Sequence, residues 1–175
     1  MYIKFSQHKN ATEIYQILGK ALMICHRFED AVKFVMNVIL SSHGFNANKL
    51  TLEDIFDTTT SAHKKIFNQS LGQKIQHPWL RETTYFDNNK LKILSDGKDA
   101  RNYLCHESTL GFSYGFDTTA NYKFLTDLNL IKDQIAKLCR AYVLISEYHY
   151  QIQEKEPSHF DSKVYCENLE NWIYG

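Results

Sequence analysis

Turn-forming residues are scarce in this chain. Two prolines and seven glycines in 175 residues cannot supply the turn roughly every 8 to 12 residues that an all-β sandwich or barrel needs. Long uninterrupted helices suit the composition better. Net charge is missing as well: 20 basic and 20 acidic side chains cancel, which excludes a whole-molecule field that would draw the protein onto nucleic acid or anionic lipid. A polyanion would have to be held by a local patch. No apolar run approaches the ~20 residues that span a bilayer, and Met1-Tyr2-Ile3-Lys4 shows no signal-peptide core. A soluble, cytoplasmic protein with no membrane partner is expected. The four cysteines, Cys25, Cys105, Cys139 and Cys166, contain no C-x-x-C pair, which fits reduced thiols better than a disulfide framework or a zinc site. Cys25, Cys105 and Cys139 fall on apolar helical stripes and read as small buried hydrophobes. Asn10-Ala11-Thr12 and Asn68-Gln69-Ser70 match the glycosylation sequon, but without a secretory signal they are chance matches.

What is present is apolar material at helical spacing. Hydrophobic residues make up 43% of the chain, enough for one domain with a real core. Ile14, Leu18, Ala21, Cys25, Phe28, Val32, Val35 and Ile39 alternate steps of four and three, the signature of one buried helix face, with Leu22 and Met36 widening it. The helix is expected over 11–41, capped by Asn10 or Thr12 and stopped by Gly44. Lys20, Arg27, Glu29, Asp30 and Lys33 read as its solvated face. A second, less regular helix is expected from Thr51, with Asp54 completing a near capping box and Leu52, Ile55, Phe56, Ile66 and Leu71 on one face. His77-Pro78 is expected to close it, leaving 79–87 as a connector. From Asn88 the helical spacing returns at Leu91, Leu94, Ala100 and Leu104. Ser95-Asp96-Gly97 leaves two readings open there: a fresh helix capped by Asp96, or a continuous helix that tolerates Gly97 at a cost of about 1 kcal/mol. Residues 108–121 have no period and read as a loop, of a length more often functional than idle. Phe124, Leu128, Ile131, Ile135, Leu138, Tyr142, Ile145 and His149 mark a long closing helix, and His149 on that stripe reads as a core or interface histidine. Beyond Pro157, Phe160, Val164, Leu169, Trp172 and Ile173 fit a short amphipathic helix. The fold class expected is all-α, an antiparallel up-and-down bundle of four or five helices over 1–156. Residues 157–175 would be an appendage packed on the bundle or on a dimer partner.

One stretch combines residues suited to chemistry: Asp99-Ala100-Arg101-Asn102-Tyr103-Leu104-Cys105-His106-Glu107. At about 100° per residue, Asn102 and His106 lie about 40° apart on one helix face, whereas Arg101 sits about 140° round from His106. One straight helix cannot aim both at a single atom, so a frayed last turn or a second chain would have to supply the other half. Histidine can take a proton and return it within one cycle. Arginine presents a charged planar fork suited to a phosphate or to a pentavalent phosphorane. Together they are a minimal kit for metal-free RNA cleavage, with Asn102 orienting the imidazole or the phosphate. Taken alone, the same residues read more simply as a surface arginine, an exterior asparagine and a histidine favoured by the helix C-terminus. Lys92 and Lys98, with Lys90, could form a local basic patch diluted by Asp96 and Asp99, and Tyr103 and Tyr114 could stack on unpaired bases. The remaining histidines show no H-x-x-x-H spacing, so no metal site and no cofactor are expected.

Arg101-Asn102-Tyr103-Leu104-Cys105-His106 resembles the R-x4-6-H motif of HEPN domains, in which the residue after the arginine is typically Asn, Asp or His. The setting resembles the family too: a long first helix, the motif near the end of a later helix, a loop, and a long closing helix, together covering most of 11–154. The resemblance implies a HEPN-like helical bundle, commonly a homodimer, with Arg101 and His106 of both chains lining one cleft. It implies a metal-independent endoribonuclease of a toxin–antitoxin or antiviral-defence type, with RNA as substrate and a cognate antitoxin or defence-system partner. Some HEPN members are noncatalytic modules that bind a nucleotide or a partner protein, which is the alternative carried forward. Toxin members paired with a nucleotidyltransferase antitoxin often carry a tyrosine two residues after the histidine. Ser108 stands at that position here, so silencing by modification of that tyrosine is not carried over.

Overall fold

The computed structural model describes residues 11–46, 68–108, 121–154 and 160–175. All regular structure among them is helical: α1 (Ala11–Asn46), α2 (Leu71–Ile75), α3 (Pro78–Glu82), α4 (Asn88–His106), α5 (Asn121–Glu154) and α6 (Ser162–Tyr174). The helix expected from Thr51, up to residue 67, and most of the loop expected over 108–121, Tyr114 included, lie outside these residues; in the described end of that expected helix, Ser70 caps a separate helix starting at Leu71. No helix among them is long and apolar enough to cross a membrane.

The stripe on α1 buries largely as its spacing requires. Ile14, Leu18, Ala21, Cys25, Phe28, Val32, Val35, Met36 and Ile39 are all in the core, joined by Ile17 and Ile24. Leu22 is an exception, 37% exposed and turned to solvent. α5 answers with Ile131, Ile135, Leu138, Cys139, Ala141 and Ile145. A fully buried side chain of this size contributes ~1.5–3 kcal/mol, so this shared face dominates the stability of the bundle.

Contacts along the helices fix their directions. Phe34 of α1 lies 4.2 Å from the His149 ring of α5, while Ile17, near the start of α1, shares a cleft with Lys132 and Ala136. α1 and α5 are therefore parallel. Tyr85, just ahead of α4, stacks on Tyr148 at 4.7 Å, and Gly97, midway along α4, meets Ala141. As α4 advances α5 recedes, so α4 is antiparallel to α5 and hence to α1. The Ser162 hydroxyl donates to Glu147 at 2.8 Å, whereas Glu170 and Tyr174 share a cleft with Lys132 and Ala136, which sets α6 antiparallel to α5. Lys20 of α1 donates to the Trp172 carbonyl at 2.8 Å, tying the far end of α6 to the bundle.

The local signals explain where these helices begin. Ser70 and Gln73 make a reciprocal capping box at α2. α2 ends at Ile75, with Gln76 as its C-cap, immediately before His77-Pro78 as expected, and the same pair also opens α3: His77 Nδ1 accepts from Trp79 N at 3.3 Å, and Pro78 occupies the first turn. Proline is as well suited to open a helix as to end one, because its missing N–H is one that no helix start uses. The stretch expected to be a connector thus begins with a helical turn and then anchors Leu80 and Phe86 in the core. Asp87 caps α4, its carboxylate accepting from Lys90 N at 2.8 Å.

α4 runs through Ser95-Asp96-Gly97 without a break. Gly97 is buried, and a Cβ there would press into Ala141 Cβ and lie 3.4 Å from Phe28 Cζ. The glycine that weakens the helix locally is what lets α4 approach α5. Gly97→Ala should therefore lower stability by ~1–3 kcal/mol in urea denaturation, overpacking outweighing the better helix propensity. A rise in stability would show that the helices do not meet there.

Candidate functional site

The motif occupies the last two turns of α4, and its arginine faces α1. Arg101 Nη2 pairs with Glu29 Oε2 at 2.8 Å, both side chains being about a quarter exposed (22% and 24%). Arg101 Nη1 donates to Asn102 Oδ1 at 3.3 Å. Its Nε is buried with no hydrogen-bond partner, so the inner edge of the guanidinium is spent on packing while its two outer nitrogens are held by named acceptors. Glu29 also pairs with Lys33 at 3.3 Å, and Lys33 reaches Asp30 at 3.6 Å. Burial pushes the Glu29 carboxyl upward, but Lys33 and Arg101 together outweigh it and hold the group below the usual carboxylate range.

Lys74 of α2 lies beneath this seam, 1% exposed. Its ammonium donates to the Gln69 carbonyl. Burial depresses its pKa, Lys33 adds to that, and Glu29 opposes both. α2 itself is braced on the motif helix: a Cβ added at Gly72 would lie 3.4 Å from Lys98 Cδ. Ion pairs, capping and close packing thus gather α1, α2 and α4 around Arg101.

His106 and Asn102 are exposed on the outer face of α4. The end of the helix is closed behind them: Glu107 N and Ser108 N both donate to the Tyr103 carbonyl, at 2.8 and 2.9 Å. The buried Ser108 hydroxyl donates to Leu104 O at 2.7 Å. Arg101 turns toward α1 and His106 toward solvent, as the angular spacing requires, and among the described residues no contact joins them. Lys98 pairs with Asp99 at 2.7 Å, Lys92 is exposed, and Tyr103 packs against the core. Lys90 sits 3.5 Å over the Tyr85 ring. No group of three His, Cys, Asp or Glu among the described residues is placed to hold a metal ion.

Glu29, Lys33 and Lys74 are members of the site that sequence reasoning did not collect. Glu29 and Lys33 read as solvated, yet Glu29 is half-buried. A signal was present: at 100° per residue Glu29 lies only about 60° from the midline of the apolar stripe, where an unpaired charge is unfavourable. Its partner, 72 positions away, is beyond any local pattern. Comparison of the chain with protein-family models, with curated proteins and with solved structures finds no match.

Removing the carboxylate strands a half-buried guanidinium. Glu29→Gln should lower stability at neutral pH by ~1–3 kcal/mol, read from urea denaturation. Because the folded carboxyl titrates below its ordinary 4.5, its contribution is full above that value and is lost as pH falls through the folded pKa. The variant should therefore lose less stability than the parent on acidification. Parallel curves would contradict the pairing.

Proposed function

We propose that the chain is a HEPN-like, metal-independent endoribonuclease whose cleft is completed by a second copy. The observation that carries this reading is a guanidinium fixed by Glu29 and Asn102 on the same helix as a solvent-exposed His106, five residues on. A phosphate-binding arginine that is already oriented loses little freedom when substrate arrives, which is where much of the gain from pre-organisation lies.

In this mechanism the ribose 2′-oxygen attacks the adjacent phosphorus. The new oxygen–phosphorus bond forms as the bond to the 5′-oxygen breaks, leaving a 2′,3′-cyclic phosphate and a 5′-hydroxyl. The imidazole of His106 moves the proton, Arg101 stabilises the extra charge on the phosphorane, and Asn102 orients the pair. Within one chain the two side chains diverge around α4, so the working set takes its arginine and its histidine from two copies. Lys92 and Lys98 are the backbone-phosphate contacts of this reading, and Tyr103 and Tyr114 its stacking surfaces. Formal neutrality favours a restricted RNA target over indiscriminate binding.

A second reading has its own observation: Arg101 already holds a carboxylate, as it would in a noncatalytic module that binds a nucleotide or a partner protein. The two part on one assay. In chelator-treated buffer, parent protein should cleave single-stranded RNA, and Arg101→Ala or His106→Ala should each reduce the rate by ~100-fold or more while folding is retained. Equal cleavage by parent and variants removes the nuclease. Intact RNA, with a melting temperature raised by a nucleotide, selects the module.

A further inference from the structure

The four thiols, dispersed in sequence, come together in two pairs. The first follows from helix geometry. α1 and α4 are antiparallel, and the Glu29–Arg101 bridge at 2.8 Å sets their register. Cys25 lies one turn before Glu29 on α1, and Cys105 lies one turn after Arg101 on α4. Residues four apart share a helix face. In an antiparallel crossing these two steps move the same way along the bundle, so the thiols face one another one turn beyond the ion pair. The electrostatics agree with this register: Cys105 is close enough to Cys25 to help raise its pKa. Cys25 is 1% exposed, whereas Cys105 is half-buried at the edge of the core, and both are free. The second pair joins Cys139 of α5 to Cys166 of α6, close enough that Cys166 helps raise the Cys139 pKa, after burial. There the Cys166 thiol donates to the Glu170 carboxylate at 3.9 Å. Burial and that carboxylate push its pKa up, which withholds the reactive thiolate.

We propose that Cys25 and Cys105 are a reversible oxidation site, closed to a disulfide by a peroxide, that staples the first helix to the motif helix one residue before His106. Cys105, the more accessible thiol, meets the oxidant first. Its sulfur attacks one peroxide oxygen, the O–O bond breaks, and Cys105 becomes a sulfenic acid as the first water departs. Cys25 then gives up its proton and attacks that sulfur. The S–S bond forms, the S–O bond breaks, and the hydroxide leaves with the proton as a second water. Two thiols have lost two electrons and one peroxide has gained them. Burial and the neighbouring Cys105 raise the Cys25 pKa, and the Arg101 cation opposes them. The bond would add a covalent tie beside the ion pair and hold the last turn of α4 against α1.

The test uses the full chain, reduced, exposed to hydrogen peroxide, alkylated, digested and mapped by mass spectrometry. The expected product is one cross-linked peptide pair joining Cys25 to Cys105, lighter by two hydrogen atoms, reversed by dithiothreitol and absent from Cys105→Ser protein. Oxidised parent should also melt at a higher temperature than reduced parent, with no such rise in the variant. Should Cys105→Ser fail to fold, Cys25→Ala serves the same comparison. Cys105 advancing to sulfinic or sulfonic acid while Cys25 remains alkylatable would overturn the proposal. So would linkage confined to Cys139 and Cys166, or thiols left unmodified throughout. None of these outcomes depends on RNA cleavage.

Discussion

One ion pair sets the geometry of this molecule's polar seam. Glu29 and Arg101, 2.8 Å apart and each about a quarter exposed, join the first helix to the motif helix. A fully exposed pair of this kind contributes ~0–1 kcal/mol. Here the larger consequence is positional. The guanidinium has one hydrogen bond to α1 and one to its own neighbour Asn102, and its Nε is sealed inside. Few rotamers satisfy all three conditions, so the direction of Arg101 is decided before any ligand arrives. The partners of Glu29 also decide its charge: with Lys33 and Arg101 beside it, the carboxylate stays ionised through the physiological range.

The same helix is fixed from its other side by packing. Gly97 removes a side chain where α4 crosses α5, and Ala141 and Phe28 fill the space. Between the close crossing at Gly97 and the ion pair at Arg101, little more than one turn further on, rotation of α4 about its axis has no room. The antiparallel register then determines what meets beyond the bridge, which is why two cysteines eighty positions apart are neighbours. His106 lies past both constraints, exposed in the last turn, with Ser108 closing the helix end beneath it. A rigid arginine and an accessible histidine on one element are the physical content of the proposed site.

Much of the fold could be read from the residues. The alternation of four and three in α1 and α5 marks much of the buried face of those two helices, though Ile17, Ile24, Ala141, Val143 and Leu144 are buried outside it, and the short amphipathic helix after Pro157 is found as α6, with Ile173 fully buried. The errors have physical causes. His77-Pro78 follows the end of α2 as a stop signal should, but the same pair also serves as cap and first turn of α3, which the stop signal alone does not show. Ser95-Asp96-Gly97 could not be resolved locally, because the reason for Gly97 is Ala141, on another helix. Leu22 has the composition of the stripe and the angle of the surface. In the site, Arg101, Asn102 and His106 were legible as a compact set, including their divergence around the helix. Glu29 and Lys74 were not, because what identifies them is a partner distant in sequence or a burial that no local period records.

The idea that an arginine clamped on one chain works with a histidine from another can be put to a direct measurement. Arg101→Ala and His106→Ala proteins are purified separately, mixed under conditions that allow chains to exchange, and assayed on single-stranded RNA. A cleft built across two copies predicts that the mixture regains cleavage that neither protein has alone, because mixed pairs hold one intact arginine–histidine set. A mixture that exchanges chains yet remains as inactive as its components would contradict it.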